Sequence, residues 1–174
     1  MLIGILAKGK NNEFGLNGDL PWGRKFPTDL KWFKWLTSQY KDAVLVCGSK
    51  TAQGLPPLPG RTLMKISKDG GLSIEDVMTM SVDKTVIVIG GAEIFKQLAN
   101  KLDVVYQTVI QDNFEADTFV CDISGLVISE ERVHNLDNTG TDVVFSTMTN
   151  EASDLRIDDL VEFKNFLKTI DKGI

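Results

Sequence analysis

The sequence predicts an α/β fold built on a mainly parallel sheet, and three observations lead to that prediction. Short apolar runs alternate along the chain with segments of helical character, an order that is typical of strands joined by crossover helices. Several of these runs are continuous rather than alternating, as expected for strands covered on both faces. Two further runs near the C-terminus flank a short polar segment, which predicts an antiparallel hairpin. The length of 174 residues fits a single domain.

The elements follow from these patterns in chain order. The predicted strands are Leu2–Ala7, Ala43–Cys47, Thr62–Ile66, Thr85–Ile89 and Val104–Ile110. The predicted helices lie near Thr28–Ser38, Ser73–Met80 and Ala92–Lys101. The hairpin joins Leu126–His134 to Thr141–Thr149 across residues 135–140, whose Asn, Asp and Gly content is typical of a turn.

The C-terminal segment is a predicted amphipathic helix. Its apolar residues recur three and four positions apart, with Ser153 as a suitable N-cap and Gly173 as a suitable stop. We therefore divide the chain into a domain of residues 1–150 and a helical extension of residues 151–174. The extension could pack on its own domain, but our hypothesis is that it serves self-association or binds a protein partner. The apolar positions are Leu155, Leu160, Val161, Phe163, Phe166, Leu167 and Ile170.

Composition excludes several classes of function. The net charge of −5 at pH 7 argues against a nucleic-acid-binding protein, and no apolar run is long enough to span a membrane. Cys47 and Cys121 have neither metal-ligand nor redox-motif spacing, and Cys47 is a predicted core residue. The single histidine, His134, has no evident partner, so a nucleophilic triad is not indicated. We expect a cytoplasmic protein without a metal.

Asp29 is the leading ionisable candidate for chemistry. It lies one helical turn before Phe33, and we expect the face that holds both, with Leu30 and Leu36, to turn inward. A carboxylate aimed at an apolar pocket is costly unless a ligand or partner satisfies it. A second interpretation stays open at this point, because acidic residues also stabilise the first turn of a helix, here one that begins near Pro27.

Two strand-to-helix junctions carry glycine where a helix starts. Gly48 precedes Lys50 and Thr51, and the pair Gly90-Gly91 follows another apolar strand. Glycine permits close approach of a ligand to the backbone, and the start of a helix offers free N–H groups to phosphate. Each junction could also be an ordinary turn, but two of them indicate a diphosphate-bearing cofactor. The usual dinucleotide fingerprint and the P-loop are both missing from the sequence.

Arg61 follows a proline-rich turn, residues 55–60. Arginine is suited to bidentate capture of a carboxylate. A surface arginine beside a turn is the plain alternative.

In order and spacing, these residues resemble dihydrofolate reductase from Leu2 to about Thr149. The resemblance implies NADPH-dependent reduction of 7,8-dihydrofolate to tetrahydrofolate, a step that supports one-carbon and thymidylate metabolism and is a target of antifolates. It also favours the catalytic interpretation of Asp29 over the capping one. The motifs that carry it are Gly15 with Leu20-Pro-Trp22, Asp29-Leu-Lys-Trp-Phe33, Leu58-Pro-Gly-Arg61 and Ile89-Gly-Gly91.

The resemblance implies a pterin pocket around Asp29. Asp29 would hydrogen-bond the 2-amino group and N3 of the pterin, Thr108 would reach both through water, and Trp22 would hold an ordered water nearby. Arg61 would bind the α-carboxylate of the glutamate tail. The implied catalytic residues are Asp29, Trp22, Thr108 and Leu20, and the implied substrate-binding residues are Ile5, Ala7, Asp29, Leu30, Phe33, Leu55, Leu58, Arg61, Ile89 and Thr108.

The resemblance also implies NADPH along the two glycine junctions. The loop between Gly9 and Gly23 is similar to the family's mobile lid, and Asp117 matches a residue that props the lid closed in some members. The implied cofactor-binding residues are Ala7, Gly15, Asn17, Gly18, Gly48, Ser49, Lys50, Thr51, Ser67, Lys68, Ile89, Gly90, Gly91, Ala92, Glu93, Ile94 and Phe95.

The chain departs from the family pattern at several positions. Ser49 stands where many members have an arginine for the 2′-phosphate of NADPH, and Glu93 stands where a basic residue is frequent. Phe95 replaces a common tyrosine, and residues 24–26 lengthen the segment before Asp29. We therefore expect NADPH to be preferred over NADH less strongly than usual. Two alternatives remain: another pterin- or flavin-like reductase of the same fold, or a non-catalytic folate- or nucleotide-binding module.

Overall fold

The computed structural model describes residues 1–135, 137–151 and 160–171. The strands are β1 (Leu2–Gly9), β2 (Glu13–Gly15), β3 (Val44–Gly48), β4 (Thr62–Ile66), β5 (Val86–Val88), β6 (Val104–Ile110), β7 (Thr118–Phe119), β8 (Val127–His134) and β9 (Val143–Thr149). The helices are α1 (Pro27–Gln39), α2 (Ser49–Gly54), α3 (Ile74–Asp83), α4 (Ala92–Leu98) and α5 (Phe163–Asp171).

Seven strands form the central sheet in the order β4-β3-β5-β1-β6-β9-β8. The neighbours from β4 to β6 pair in parallel, whereas β9 pairs antiparallel with both β6 and β8. The predicted parallel sheet and hairpin are thus confirmed. The prediction missed β2 and β7, which form a separate antiparallel pair, because strands this short carry no readable apolar pattern.

The two faces of the sheet bury different kinds of core. One face packs an aromatic cluster beneath α1 and α5 that includes Trp22, Trp32, Tyr106 and Phe145. The other face packs a mainly aliphatic cluster against α3 and α4. Cys47 has no exposed surface, which confirms it as a core residue, and burial raises the pKa of its thiol to about 11.

Helix α1 turns a different face inward from the one expected. Its buried side chains include Thr28, Trp32 and Leu36, which lie four residues apart and therefore share one stripe. Asp29 is only half-buried, and Leu30 is 37% exposed. The expectation that Leu30 turns inward with Leu36 is wrong. The buried stripe begins at Thr28, one residue before Asp29, so the side of the helix that carries Asp29 stays accessible to a ligand.

The predicted C-terminal helix is interrupted at residues 160–162, and its described part, α5, packs on its own domain. Residues 160–162 are not helical, and α5 begins at Phe163; Ser153, Leu155 and Gly173 lie outside the described residues. Phe163 and Phe166 are each 2% exposed and join the aromatic cluster. Their ring centroids lie 4.8 and 5.3 Å from that of Trp32 on α1. The apolar face of α5 thus covers the helix that carries Asp29.

Candidate active site

Asp29 and Thr108 form the centre of the candidate site. Asp29 lies in the first turn of α1, and Thr108 lies in β6, where it pairs with Ala7 of β1. The two side chains are hydrogen-bonded to each other, although 79 positions separate them in the sequence by residue number. The water that the resemblance implies between Thr108, Asp29 and the pterin stays a prediction. A strand of the sheet and the first turn of α1 thus meet at this carboxyl.

The carboxyl of Asp29 holds its proton more strongly than an exposed aspartate does. Protein atoms surround the carboxyl although part of the residue is open to solvent, and this burial raises the pKa of Asp29 to about 6. The hydrogen bond from Thr108 lowers the pKa, and the negative charge of Asp137 raises it. A carboxyl that titrates near neutral pH is suited to proton chemistry.

The aromatic cluster on this face of the sheet contributes apolar side chains of graded exposure from α1, β1 and nearby loops. Ile5 and Trp22 are buried, and the Trp22 ring lies 5.4 Å from that of Phe114. The half-buried residues pack on the same cluster and keep surface for a ligand: Ala7, Phe33, Leu55 and Leu58. Leu20 and Leu30 are exposed. An apolar surface with one convergent carboxyl is typical of a small-molecule site.

Arg61 lies against the middle of α1 rather than free in solvent. Its Nη1 donates to the Pro59 carbonyl oxygen at 2.8 Å, and its Nη2 donates to the Lys34 carbonyl oxygen. Its Nε is buried and has no partner among the described residues. A buried donor without an acceptor is costly, so this geometry fits a guanidinium that receives an anionic ligand group.

The predicted lid is anchored to β7 at its turn. Asn17 and Gly18 have positive φ angles of 51° and 78°, and Leu16 and Asp19 exchange backbone hydrogen bonds across them, as in a two-residue hairpin turn. The Asn17 N–H donates to Oδ2 of Asp117 at 2.8 Å. This contact and the hydrogen bond donated by Oγ1 of Thr118 lower the pKa of Asp117, so Asp117 holds the turn as an anion.

The two glycine junctions meet at the carboxyl ends of β3 and β5. The Gly48 N–H donates to the Gly90 carbonyl oxygen at 3.0 Å. Gly90 has φ +134°, and a Cβ at Gly91 would lie 3.2 Å from Oγ1 of Thr51. A side chain would be strained at Gly90 and crowded at Gly91, and the half-buried Gly48 and Gly91 leave backbone accessible to a ligand. Ligands of open α/β sheets bind at this edge.

A groove of about 560 Å³ continues from these junctions. Of the predicted cofactor residues, Ser49 and Ser67 line it and Lys68 does not. Sequence reasoning missed its other lining residues, which are Met64, Lys65, Asp69, Gly70, Gly71 and Leu72. The Gly70-Gly71 pair was the available signal. Lys65 together with two serines gives a donor set that fits a phosphate group.

Two predicted cofactor residues are turned away from the groove. Phe95 has no exposed surface, and its ring lies 6.1 Å from that of Phe14, edge to face. Ile94 is 9% exposed and packs in the aliphatic cluster. The geometry therefore gives no support to a side-chain contact from Phe95 to the cofactor. Helix α4 buries this face because it must cover the sheet.

Known proteins similar to this chain share one family. The family model described as dihydrofolate reductase matches residues 1–150. The dihydrofolate reductase of Enterococcus faecium is 31% identical over 156 residues, which cover 79% of this chain and 90% of that protein. The bifunctional dihydrofolate reductase-thymidylate synthase of Daucus carota is 30% identical over 67% of this chain, which spans only 27% of that longer protein.

A solved structure agrees with the sequence matches. The dihydrofolate reductase of Enterococcus faecalis, complexed with NADP(H) and RAB-propyl, superimposes with a TM-score of 0.75 at 27% identity. The superposition covers 87% of this chain and 96% of that one. The chain therefore belongs to the dihydrofolate reductase family, whose enzymes reduce dihydrofolate with NADPH.

Proposed function

We propose that Asp29 is the residue through which this enzyme binds and activates dihydrofolate. Its carboxyl lies on an accessible apolar surface, and its pKa of about 6 keeps both protonation states available near neutral pH. As an anion it accepts hydrogen bonds from the N–H donors of the pterin ring, and in its protonated form it holds the proton that water relays to N5. The hydrogen bond with Thr108 sets the direction in which the carboxyl oxygens point. This buried, oriented carboxyl is the observation that carries the proposal.

The chemistry requires one hydride and one proton. When bound, NADPH supplies the hydride, which goes to C6 of dihydrofolate, and water delivers the proton to N5. Asp29 orients and polarises the pterin while the apolar residues around it exclude bulk solvent. Trp22 and Leu20 would limit water near the ring. Holding both rings in one site gives much of the acceleration through proximity.

The remaining assignments divide between substrate and cofactor. Arg61 would bind the α-carboxylate of the substrate with its unpartnered Nε, and Ile5, Ala7, Leu30, Phe33, Leu55, Leu58 and Ile89 would contact the rest of the folate. The residues that would hold NADPH are Gly48, Ser49, Lys50, Thr51, Ser67, Gly90, Gly91 and Ala92, with Lys65 added from the groove. Gly15, Asn17 and Gly18 would close over it.

The test is the loss of NADPH absorbance on adding dihydrofolate, for the wild type and Asp29→Asn side by side. We expect oxidation that methotrexate inhibits in the wild type, and kcat/KM lower by roughly 100-fold or more in the variant at neutral pH. The wild-type rate of hydride transfer should fall as pH rises above about 6, the pKa of Asp29, and Asp29→Asn should lose this dependence.

A folded wild type that binds methotrexate without turnover would contradict the proposal and indicate a binding module instead. A variant as active as the wild type would remove Asp29 from the mechanism. The control is Asp19→Asn, which changes an exposed aspartate in the lid turn and should keep most of the activity.

We also propose the division into a reductase domain of residues 1–150 and an extension of residues 151–174 in a cytoplasmic protein. Among the described residues, no helix is both long and apolar enough to cross a membrane. Self-association through the extension stays a prediction. If the extension joins two copies, a chain ending after Thr149 should be a monomer where the full chain is a dimer. If α5 only covers its own domain, the two chains should have the same oligomeric state.

A further inference from the structure

Helix α1 lacks a capping side chain from its own N-terminus. Its N-cap residue, Phe26, has no side chain that can accept a hydrogen bond, and Pro27 at the first position has no N–H. The Asp29 N–H donates to the Phe26 carbonyl oxygen at 3.2 Å. The remaining first-turn donor, the N–H of Thr28, must therefore find an acceptor elsewhere in the fold.

A carboxylate from the far end of the sequence supplies that acceptor. Oδ2 of Asp137 accepts from the Thr28 N–H at 3.2 Å, and Oδ1 accepts from Oγ1 of Thr28 at 2.6 Å. Asp137 lies in the β8–β9 turn, where Asp137 and Asn138 have φ angles of 66° and 53°. Asp and Asn are the side-chain-bearing residues that most readily adopt this conformation. The turn therefore directs one charged group onto one turn of α1.

We propose that Asp137 is a positioning residue for Asp29: it fixes the first turn of α1 through Thr28 and places a negative charge beside the catalytic carboxyl. Thr28 is 7% exposed, so its two bonds to Asp137 are shielded from water, and Asp29 is the next residue along the chain. The β8–β9 hairpin thereby controls both the direction and the protonation of the acid. This inference rests on the proposed role of Asp29.

The charges around Asp29 make the effect specific. Among the groups that act on the pKa of Asp29, Asp137 is the charged one and raises it, whereas Thr108 is neutral and lowers it. The aromatic cluster beneath α1 holds Tyr106 of β6, and His134 of β8 lies against its Phe163 ring. Burial and Arg132 lower the pKa of His134, so it is neutral at pH 7. The lysines of α1 beside Asp29, Lys31 and Lys34, are exposed.

The deciding experiment titrates Asp29 directly in the ligand-free protein by carboxyl ¹³C NMR, for wild type and Asp137→Asn. The amide keeps the size of the side chain and one acceptor but removes the charge. We expect the Asp29 midpoint to move down by roughly half a pH unit, as for one partly screened charge at close range. Hydride transfer should then fall about threefold at pH 8 and stay unchanged at pH 5.

Two further variants separate charge from folding. Asp142→Asn removes an exposed carboxylate from the same hairpin and should leave the Asp29 midpoint in place. Thr28→Val keeps the charge of Asp137 but removes the hydroxyl bond, and should raise KM for dihydrofolate several-fold with little change in KM for NADPH. Thermal melts show whether each variant is folded, and Thr28→Val provides the test if Asp137→Asn does not fold.

An unchanged Asp29 midpoint in folded Asp137→Asn, or an equal shift in Asp142→Asn, would overturn the proposal. So would a Thr28→Val enzyme with unchanged KM for dihydrofolate. The titration needs no turnover. If the Asp29 midpoint differs between wild type and Asp137→Asn but the wild type does not reduce dihydrofolate, the proposed function is refuted and the Asp137–Asp29 coupling stands.

Discussion

The proposed substrate side and the proposed cofactor side of this site are built differently, one from side chains and the other from backbone. On the substrate side, side chains from distant elements meet: Asp29 bonds Thr108, and Thr28 bonds Asp137. On the cofactor side, backbone meets backbone: the Gly48 N–H donates to Gly90, and glycine leaves room where a side chain would collide with Thr51. The first side depends on the side chains that are present, and the second depends on glycine having no side chain.

This contrast explains why the carboxyl with the raised pKa, Asp29, lies on the proposed substrate side. Burial, hydrogen bonds and nearby charges all change the pKa of a side-chain carboxyl, and all three act on Asp29. Backbone N–H groups do not titrate, so a glycine-built surface offers the same donors at every pH. We therefore expect substitutions on the substrate side to change the pH dependence, and those on the cofactor side to change affinity for NADPH.

The largest expected effect breaks the support behind α1. Phe166→Ala should lower the free energy of unfolding by about 3–5 kcal/mol, because a fully packed aromatic ring against Trp32 and Trp35 is lost. A urea melt measures this. Since α5 packs on α1, β8 and β9 and not on the glycine junctions, KM for dihydrofolate should rise more than KM for NADPH. Val82→Ala, at a side chain that is 80% exposed, is the control and should be nearly neutral. Equal changes in both KM values would contradict the contrast.

The second effect is on stability and follows from the raised pKa of Asp29. The folded pKa of about 6 lies above the ordinary value of 3.8, so the folded state binds the proton more tightly. Folding therefore loses stability as pH rises from about 4 through 6, by at most about 3 kcal/mol. Asp29→Asn should stabilise the ligand-free protein at pH 7.5 by about 1–3 kcal/mol and have little effect at pH 4.

Chemical denaturation of both proteins at the two pH values measures the difference. A variant that is destabilised at pH 7.5 would show that the carboxylate form of Asp29 is satisfied in the fold, against the cause assigned to its pKa.

The third effect tests the glycine surface. Gly91→Ala places a Cβ 3.2 Å from Oγ1 of Thr51, tighter than ordinary contact, and we expect KM for NADPH to rise roughly tenfold, equivalent to about 1.4 kcal/mol. The pH profile of hydride transfer should not change. Gly54→Ala is the matched control, since its Cβ would meet only an ordinary contact of 3.6 Å. A shifted pH profile in Gly91→Ala would break the contrast between the two sides.

The smallest effect concerns the choice of cofactor. NADPH should be preferred over NADH, and Ser49→Arg should raise that preference several-fold by adding a cation to the groove that Lys65 and Ser67 already line. Ser49→Glu should lower it while leaving kcat/KM for NADH near its original value. Comparable kcat/KM for both cofactors in the wild type would remove the predicted preference and with it this use of the groove.

The sequence by itself determined the sheet, the hairpin and the residue types at the centre of the site. Continuous apolar strands, the two glycine junctions and the spacing of Asp29 from Phe33 are local patterns, and local patterns are readable because backbone geometry fixes their period. The short strands β2 and β7 were not readable, since a segment of a few residues carries no period. The start of α5 was not readable, since the apolar spacing continues through the non-helical Leu160 and Val161.

Only the tertiary structure decided how the acid is tuned. The bonds from Asp29 to Thr108 and from Thr28 to Asp137 join residues far apart in sequence, and no local pattern records which distant turn will reach a helix end. The same holds for the burial of Phe163 and Phe166 beside Trp32, since an amphipathic helix defines an apolar face but not its partner. The burial of a carboxyl and the charges near it depend on all the residues packed around it, and these residues come together only when the chain folds.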